Sequence, residues 1–258
     1  QPPSRSGVHA EFWDVPAIRD VVKILFDVEY ESDSSYQLLL RFCGMSFKRP
    51  DPFDKHRDEQ AITRRMAGVK AQVKDLLDAG WEVYAADEVR LEHEAETRRM
   101  WLPRGQRTKL SVDRKKTSQS FFGALSLTSK KVKLYPVEGN QNTEQTILAL
   151  DRLQRETREE KIAVIPGGAR FHHAKTLTGL YEPGRLLERI TPIHPPPYAP
   201  DHNPVEHVWN TAKNNIANIQ RETPEETFGA FASYITGRAF DYDFEHLPLR
   251  ETRNDFVS

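Results

Sequence analysis

The sequence predicts an α/β domain, in which helices flank one mixed sheet, preceded by a small all-α segment. Five short runs rich in β-branched and aromatic residues are typical of strands. The first three succeed one another without an intervening helix, whereas the last two alternate with helical segments, which together indicate a mixed five-stranded sheet. The predicted strands are residues 81–91, 118–128, 130–138, 161–165 and 187–193.

Apolar residues that recur every three or four positions predict the helices. The first two are short and close together, a pattern that suits a helix-turn-helix but that any pair of packed helices also gives. Thr143 is the expected cap of the fourth. The predicted helices are residues 14–28, a second within 30–46, 59–79, 142–157, 204–220 and 223–240.

A proline-rich, charged stretch at residues 48–58 is the clearest linker in the chain. We therefore expect residues 1–50 to form the helix-turn-helix segment, 51–80 a linker and a helix, and 81–258 the α/β domain. The first residue is Gln1 rather than methionine, so an upstream segment is expected to be missing.

The single cysteine, Cys43, excludes an internal disulfide and a zinc site built from several cysteines. Its apolar setting, YQLLLRFCGM, predicts a buried side chain. Sparse cysteine use is typical of an intracellular protein, here expected in the cytoplasm. No apolar run approaches the roughly 20 residues that a membrane helix needs, so no membrane partner is expected.

The net charge of −1 indicates no polyanionic partner, but local charge does. Eight basic residues and one acid lie between Arg98 and Lys116, which is typical either of a solvated loop or of a phosphate-binding surface. On the second interpretation the candidate DNA contacts near Asp87 are Arg104, Arg107, Lys115 and Lys116. Those near the helix-turn-helix are Arg41, Lys48 and Arg49.

Two carboxylates have unusual settings. Asp87 closes the apolar run WEVYAAD, which fits either a turn or edge position or a ligand site at the carboxyl end of a strand. Glu88 should point to the opposite face, because strand side chains alternate. Glu206 follows Pro204 in the first turn of a helix, where the helix dipole alone favours an acid.

The loop before Glu206 favours a functional interpretation. Four prolines between residues 195 and 200 restrict its backbone, and Asn203 can cap the helix. A rigid approach of this kind fixes the direction of one side chain, which matters more for a metal ligand than for a surface charge. Trp209, three residues on, should lie on the same helix face and wall the site.

Three blocks of sequence carry a resemblance to a known family. YAADE, GGARFHHAK and PPPYAPDHNPVEHVW, in that order, resemble the catalytic blocks of the DDE transposases of the mariner superfamily, and most of all its bacterial and archaeal insertion-sequence branch. The third block is the most specific. The likeness spans roughly residues 12–248 and includes MWLPRGQR, as well as the two N-terminal helices.

The resemblance implies an RNase H-like fold in which three carboxylates hold two Mg²⁺ or Mn²⁺ ions that cut and join DNA. Asp87 and Glu206 match two of those metal ligands, while His172, Asn203 and Trp209 match supporting positions. The implied partner is double-stranded DNA, as terminal inverted repeats and as target. A homodimer is implied to hold the two DNA ends.

This sequence departs from the family at the second carboxylate. Gly167 stands where the family has a catalytic aspartate, and glycine offers no ligand atom. The loss is expected to reduce catalysis by several orders of magnitude. Three hypotheses remain: an impaired transposase, a catalytically inactive DNA-binding protein that represses transposition or is a domesticated remnant, and an unrelated RNase H-fold nuclease.

Overall fold

The computed structural model describes residues 1–48, 57–103, 105, 108–169, 172, 174–197 and 200–246. The chain forms two compact units, residues 1–53 and residues 54–258. The helices are α1 Val15–Phe26, α2 Asp33–Phe42, α3 Glu59–Asp78, α4 Thr143–Glu156, α5 Lys175–Thr178, α6 Pro204–Ile216 and α7 Pro224–Thr236. The strands are β1 Glu82–Glu92, β2 Ser118–Ser126, β3 Val132–Val137, β4 Ile162–Ile165 and β5 Ile190–Pro192.

The first unit is a helix pair with a small core. Ile18 and Val22 on α1 pack against Tyr36 on α2, and Asp14 caps α1 by accepting a hydrogen bond from Ala17 N. The prediction that Cys43 is buried is wrong, because its side chain is exposed. Two short helices can bury one stripe each, and Cys43 follows the last turn of α2 outside that stripe.

The second unit contains a five-stranded mixed sheet in the order β3-β2-β1-β4-β5. β1, β2 and β3 pair antiparallel, whereas β4 and β5 extend the sheet parallel to β1. The meander followed by crossovers was predicted from the sequence, and both the sheet and its strand count are confirmed.

Helices cover both faces of the sheet, and alternation along β1 assigns its side chains to them. Tyr84 and Ala86 pack toward α4 and α5, while Val83 and Ala85 pack against α3. Val89 continues that second face under α6 and α7. Because side chains alternate, Asp87 faces α3 and α6, and Glu88 faces α4.

Helix ends follow local capping chemistry. The cap of α4 is Asn142, whose extended backbone lets its side chain accept a hydrogen bond from Gln145 N, so the predicted cap Thr143 is instead the first helical residue. Pro204 and Pro224 each occupy the first turn of a helix, as predicted. Among the helices in the described part of the chain, none combines the length and apolarity that crossing a bilayer requires.

Candidate functional site

Asp87 lies inside β1, at the point where one neighbouring strand stops. Every residue of β2 pairs with β1, between Tyr84 and Glu92, and Asp87 lies opposite Gly123. β4 pairs only as far as Ala85, opposite Ile165. Asp87 closes the apolar run but not the strand, since β1 runs on to Glu92, close to the predicted end at residue 91. On the β4 side, however, Asp87 does lie at the carboxyl edge of the parallel strands, where α/β proteins bind ligands.

Asn203 fixes the start of α6 against β1. Its Oδ1 accepts a hydrogen bond from Val205 N at 3.3 Å, and its Nδ2 donates to the carbonyl of Ala86 at 3.3 Å. Ala86 directly precedes Asp87, so one buried amide ties the first turn of α6 to the strand position of the acid. Glu206, in that first turn, is thereby directed toward Asp87.

Asp87 and Glu206 meet and share a carboxyl–carboxyl hydrogen bond. Burial, followed by this hydrogen bond and the negative charge of Glu206, raises the pKa of Asp87 to about 9. Two carboxylates in contact cannot both ionise cheaply, so one proton is held between them at neutral pH. A divalent cation would relieve the same repulsion without that proton.

Gly167 lies two residues beyond the end of β4 and leaves room that Asp87 occupies. A Cβ atom at position 167 would lie 2.6 Å from Asp87 Cγ, a distance that real side chains avoid. The carboxylate of Asp87 thus leans into the position where a second-block side chain would begin. By contrast, a Cβ at Gly168 would have no heavy atom within 4 Å.

A cavity of about 350 Å³ opens at this edge of the sheet. Its ionisable lining consists of two acids and one imidazole, with no lysine or arginine among the described lining residues. The lining residues are Met66, Asp87, Ile165, Pro166, Gly167, Gly168, Ala169, Pro195, Pro196, His202, Asn203, Glu206 and Phe244. The proline-rich loop therefore contributes one wall, and the two predicted acids another.

Trp209 does not line this cavity, in contrast to the prediction that it walls the site. Its ring is 2% exposed and lies against β2, where a Cβ at Gly123 would come within 2.8 Å of Trp209 Cζ2. A glycine inside a strand often marks such a close approach, although this one was not predicted from the sequence. Trp209 seats α6 on the sheet beside Asp87 and positions Glu206 indirectly.

A second polar group lies beside Asp87 on the α4 face. Glu88 Oε2 is 3.0 Å from His172 Nε2, and Glu88 Oε1 accepts a hydrogen bond from Thr146 Oγ1 at 3.0 Å. The side chains of His172 and Glu88 are 2% and 5% exposed. Both oxygens of a buried carboxylate are thereby satisfied, and β1 is tied to α4 and to the loop after β4.

Asp201, the other acid of the proline-rich loop, is engaged away from the carboxylate pair. Arg57 donates two hydrogen bonds to it, at 2.7 and 2.9 Å. These hydrogen bonds lower the pKa of Asp201. The pairing joins residues 144 positions apart, so no local pattern could have revealed it.

The predicted DNA contacts that can be described are all exposed. Arg41 lies in the last turn of α2, and Lys48 follows it. Lys115 and Lys116 lie in the connection between β1 and β2. Three others, Arg49, Arg104 and Arg107, lie outside the described residues.

The carboxylate pair fits a divalent cation. Ionised Asp87 and Glu206 offer the hard oxygen atoms that Mg²⁺ and Mn²⁺ prefer, and a cation would offset the burial and the neighbouring negative charge that raise the pKa of Asp87. Gly167, where the family resemblance predicts a third carboxylate, offers no ligand atom. Among the described residues, one group brings three potential ligand atoms within 4.8 Å of one another; it consists of Asp87, Glu88 and His172.

The sequence and the fold are similar to known proteins. Residues 82–227 match the DDE superfamily endonuclease family, and residues 9–68 match the winged helix-turn-helix family. None of the curated proteins matches the sequence significantly.

Two solved structures have a similar fold. A pre-cleavage Mos1 transpososome has a TM-score of 0.58 at 13% identity, over 90% of this chain and 74% of that one. The mariner Mos1 paired-end complex with Mg has a TM-score of 0.57 at 14% identity, with the same coverages. The first match to a family spans more than half of the chain. With an RNase H-like sheet and an N-terminal winged helix-turn-helix region, this chain belongs to the DDE superfamily of endonucleases.

Proposed function

We propose that this chain is a transposase-like protein that binds the ends of an insertion sequence and cuts and joins DNA, with cutting impaired by Gly167. The juxtaposition of Asp87 and Glu206 at the end of β4 carries the proposal. It agrees with the DDE superfamily assignment and with a fold shared with mariner Mos1 complexes. We place the chain in the bacterial and archaeal branch, acting on DNA in the cytoplasm.

We propose a separate role for each of three segments of the chain. Residues 1–50 would bind DNA as a helix-turn-helix, residues 51–80 would connect, and residues 81–258 would hold the reacting phosphodiester. Two copies would form a homodimer that holds two terminal inverted repeats. The winged helix-turn-helix match supports a DNA-binding role for the first unit, and similar folds occur in a Mos1 transpososome and in Mos1 transposase paired with a transposon end.

Asp87 and Glu206 would hold the cation at the cavity, and Asn203 would keep them aligned. When bound, Mg²⁺ or Mn²⁺ supplies an activated nucleophile and stabilises the leaving oxygen of a phosphodiester. Asp87 must first lose the proton that it shares with Glu206. The proline-lined wall would orient the DNA strand and restrict water.

Impairment follows from the missing carboxylate. A site built to balance two dications has lost one of its charges at Gly167, and the freed space is occupied by Asp87. Removing one member of a catalytic unit typically costs several orders of magnitude in rate. The same observation also favours the alternative, a DNA-binding protein without activity, because Gly167 provides no carboxylate to hold a cation together with Asp87.

Metal-dependent cutting of the element's own terminal repeats tests the proposal. With Mn²⁺, native protein should nick labelled repeat DNA slowly, and Gly167→Asp should raise the rate by at least about tenfold. Gly168→Asp is the matched control, because it adds the same acid where the space is open. No cutting by Gly167→Asp, together with tight binding to the repeats, would select the inactive DNA-binding protein.

Salt dependence of DNA affinity tests the basic connection. Replacing Lys115 and Lys116 by alanine should lower the slope of log affinity against log salt by about 2, roughly one unit for each phosphate contact. An unchanged slope would remove both residues from the DNA interface.

A further inference from the structure

Asp87 belongs to two groups of ligand atoms at once. On one side it meets Glu206, at the cavity. On the other, Asp87, Glu88 and His172 present ligand atoms that all lie within 4.8 Å of one another. Side chains that alternate along a strand ordinarily face apart, so this second convergence needs an explanation.

The explanation lies at the free edge of β1. β4 stops pairing at Ile165, opposite Ala85, so within the described part of the chain no strand pairs with β1 on that side at Asp87. Gly167 has no side chain there, and the carboxylate of Asp87 leans into the vacated space. A side chain at 167 would force the carboxylate of Asp87 out of that space, and this displacement should separate it from His172.

The distance between Glu88 and His172 suits two adjacent ligands of an octahedral ion, and Asp87 lies close enough to complete the set with a small shift. Adjacent ligands of an ion with bonds of about 2.1 Å lie about 3 Å apart, and opposite ligands about 4.2 Å apart. Glu88 Oε2 and His172 Nε2 are 3.0 Å apart, and all three ligand atoms fall within 4.8 Å. Glu88 would keep its hydrogen bond from Thr146 on the other oxygen.

We propose that Asp87, Glu88 and His172 form a mixed nitrogen–oxygen cation site, and that this site exists because residue 167 is glycine. An imidazole ligand favours first-row transition ions such as Mn²⁺, Co²⁺ or Zn²⁺ over Mg²⁺. Binding would exchange the hydrogen bond between His172 and Glu88 for two bonds to the ion; a neutral imidazole would carry its proton on Nδ1, and a doubly protonated ring would release the Nε2 proton to solvent. The inference rests on the proposed function in that both sites draw on Asp87.

Pulsed electron paramagnetic resonance of the native protein loaded with Mn²⁺ tests the inference. A bound imidazole gives ¹⁴N modulation, and labelling the histidines with ¹⁵N should replace it, without any change to the fold. Gly167→Asp should keep Mn²⁺ but lose the nitrogen signal. His202→Gln is the control, because His202 lines the same cavity but is not one of the three residues; it should leave the signal unchanged.

The outcomes separate this inference from the proposed function. Histidine modulation that persists in His202→Gln and vanishes in Gly167→Asp supports the mixed site. Loss of the signal in His202→Gln, or Mn²⁺ bound with oxygen ligands alone, overturns the mixed site and leaves the proposed function standing. Mn²⁺ bound by Gly167→Asp but not by the native chain overturns the mixed site and favours the inactive DNA-binding protein. Failure of both proteins to bind Mn²⁺ overturns both.

Discussion

Aspartate at position 167 should destabilise the metal-free protein and make its stability depend on a divalent cation. The new Cβ would lie 2.6 Å from Asp87 Cγ, so the flexible carboxylate of Asp87 must rotate away. A third carboxylate then joins Asp87 and Glu206. Two negative charges about 4 Å apart repel each other by about 4 kcal/mol at an effective dielectric constant near 20. The new acid can avoid this repulsion by binding a proton at neutral pH, which costs a similar free energy, so the total destabilisation does not exceed about that value.

We therefore expect Gly167→Asp to lower the free energy of unfolding by roughly 2–4 kcal/mol without metal. For a domain of this size, that corresponds to a fall in Tm of about 4–16 °C. Mn²⁺ at about a hundred times its Kd should restore about 2.7 kcal/mol. Thermal unfolding followed by circular dichroism, with a chelator and then with Mn²⁺, measures both effects.

Gly168→Asp supplies the control for this experiment. Residue 168 is exposed, and a Cβ there meets nothing within 4 Å, so the same acid should lower Tm in chelator much less than at position 167, although Gly168 lines the same cavity. Equal stabilities of the two variants in chelator, with no gain for Gly167→Asp in Mn²⁺, would refute the placement of residue 167 beside the acid pair.

Three further changes probe the same site. Mn²⁺ affinity should rise about tenfold for each unit by which pH increases toward 9, because Asp87, whose pKa is raised to about 9, must lose its proton before it binds the ion. Calorimetry in two buffers should detect the released proton. An Mn²⁺ affinity that does not change with pH would contradict a protonated Asp87. Gly123→Ala should cost roughly 1–3 kcal/mol in chemical denaturation by displacing the ring packed on it, whereas Gly229→Ala, in open space on α7, should not destabilise. Asn203→Ala should lower the free energy of unfolding by about 1–2 kcal/mol and also weaken Mn²⁺ binding. The control Thr223→Ala, which removes the cap of α7, should lower stability without changing Mn²⁺ binding. Equal Mn²⁺ affinities of Asn203→Ala and the native protein would argue against positioning by Asn203.

Local chemistry explains why much of the fold was predictable. Each strand is a run of β-formers bounded by turn residues, and Asn203 followed by Pro204 gives the start of α6 unambiguously. Given the strand order, the carboxyl edge of β1 and β4 was the expected meeting place of Asp87 and Glu206. That meeting was inferred with help from the resemblance, since spacing alone does not specify which helix crosses which strand.

The features missed depend on contacts between distant residues. The role of Gly123 arises from the ring of Trp209, and the carboxylate of Asp201 is held by Arg57 from far along the chain. Alternation on β1 placed Glu88 on the α4 face, and its hydrogen bond to Thr146 agrees. Alternation did not predict that Asp87 would lean over the strand edge toward His172, because that depends on the empty space at residue 167.

A crystal of the native protein soaked in Mn²⁺ tests the central claim most directly, through the anomalous signal of the ion. The account predicts a peak at bonding distance, about 2 to 2.5 Å, from carboxylate oxygens of both Asp87 and Glu206. Occupied Mn²⁺ positions elsewhere on the molecule, with Asp87 and Glu206 still hydrogen-bonded to each other, would contradict it.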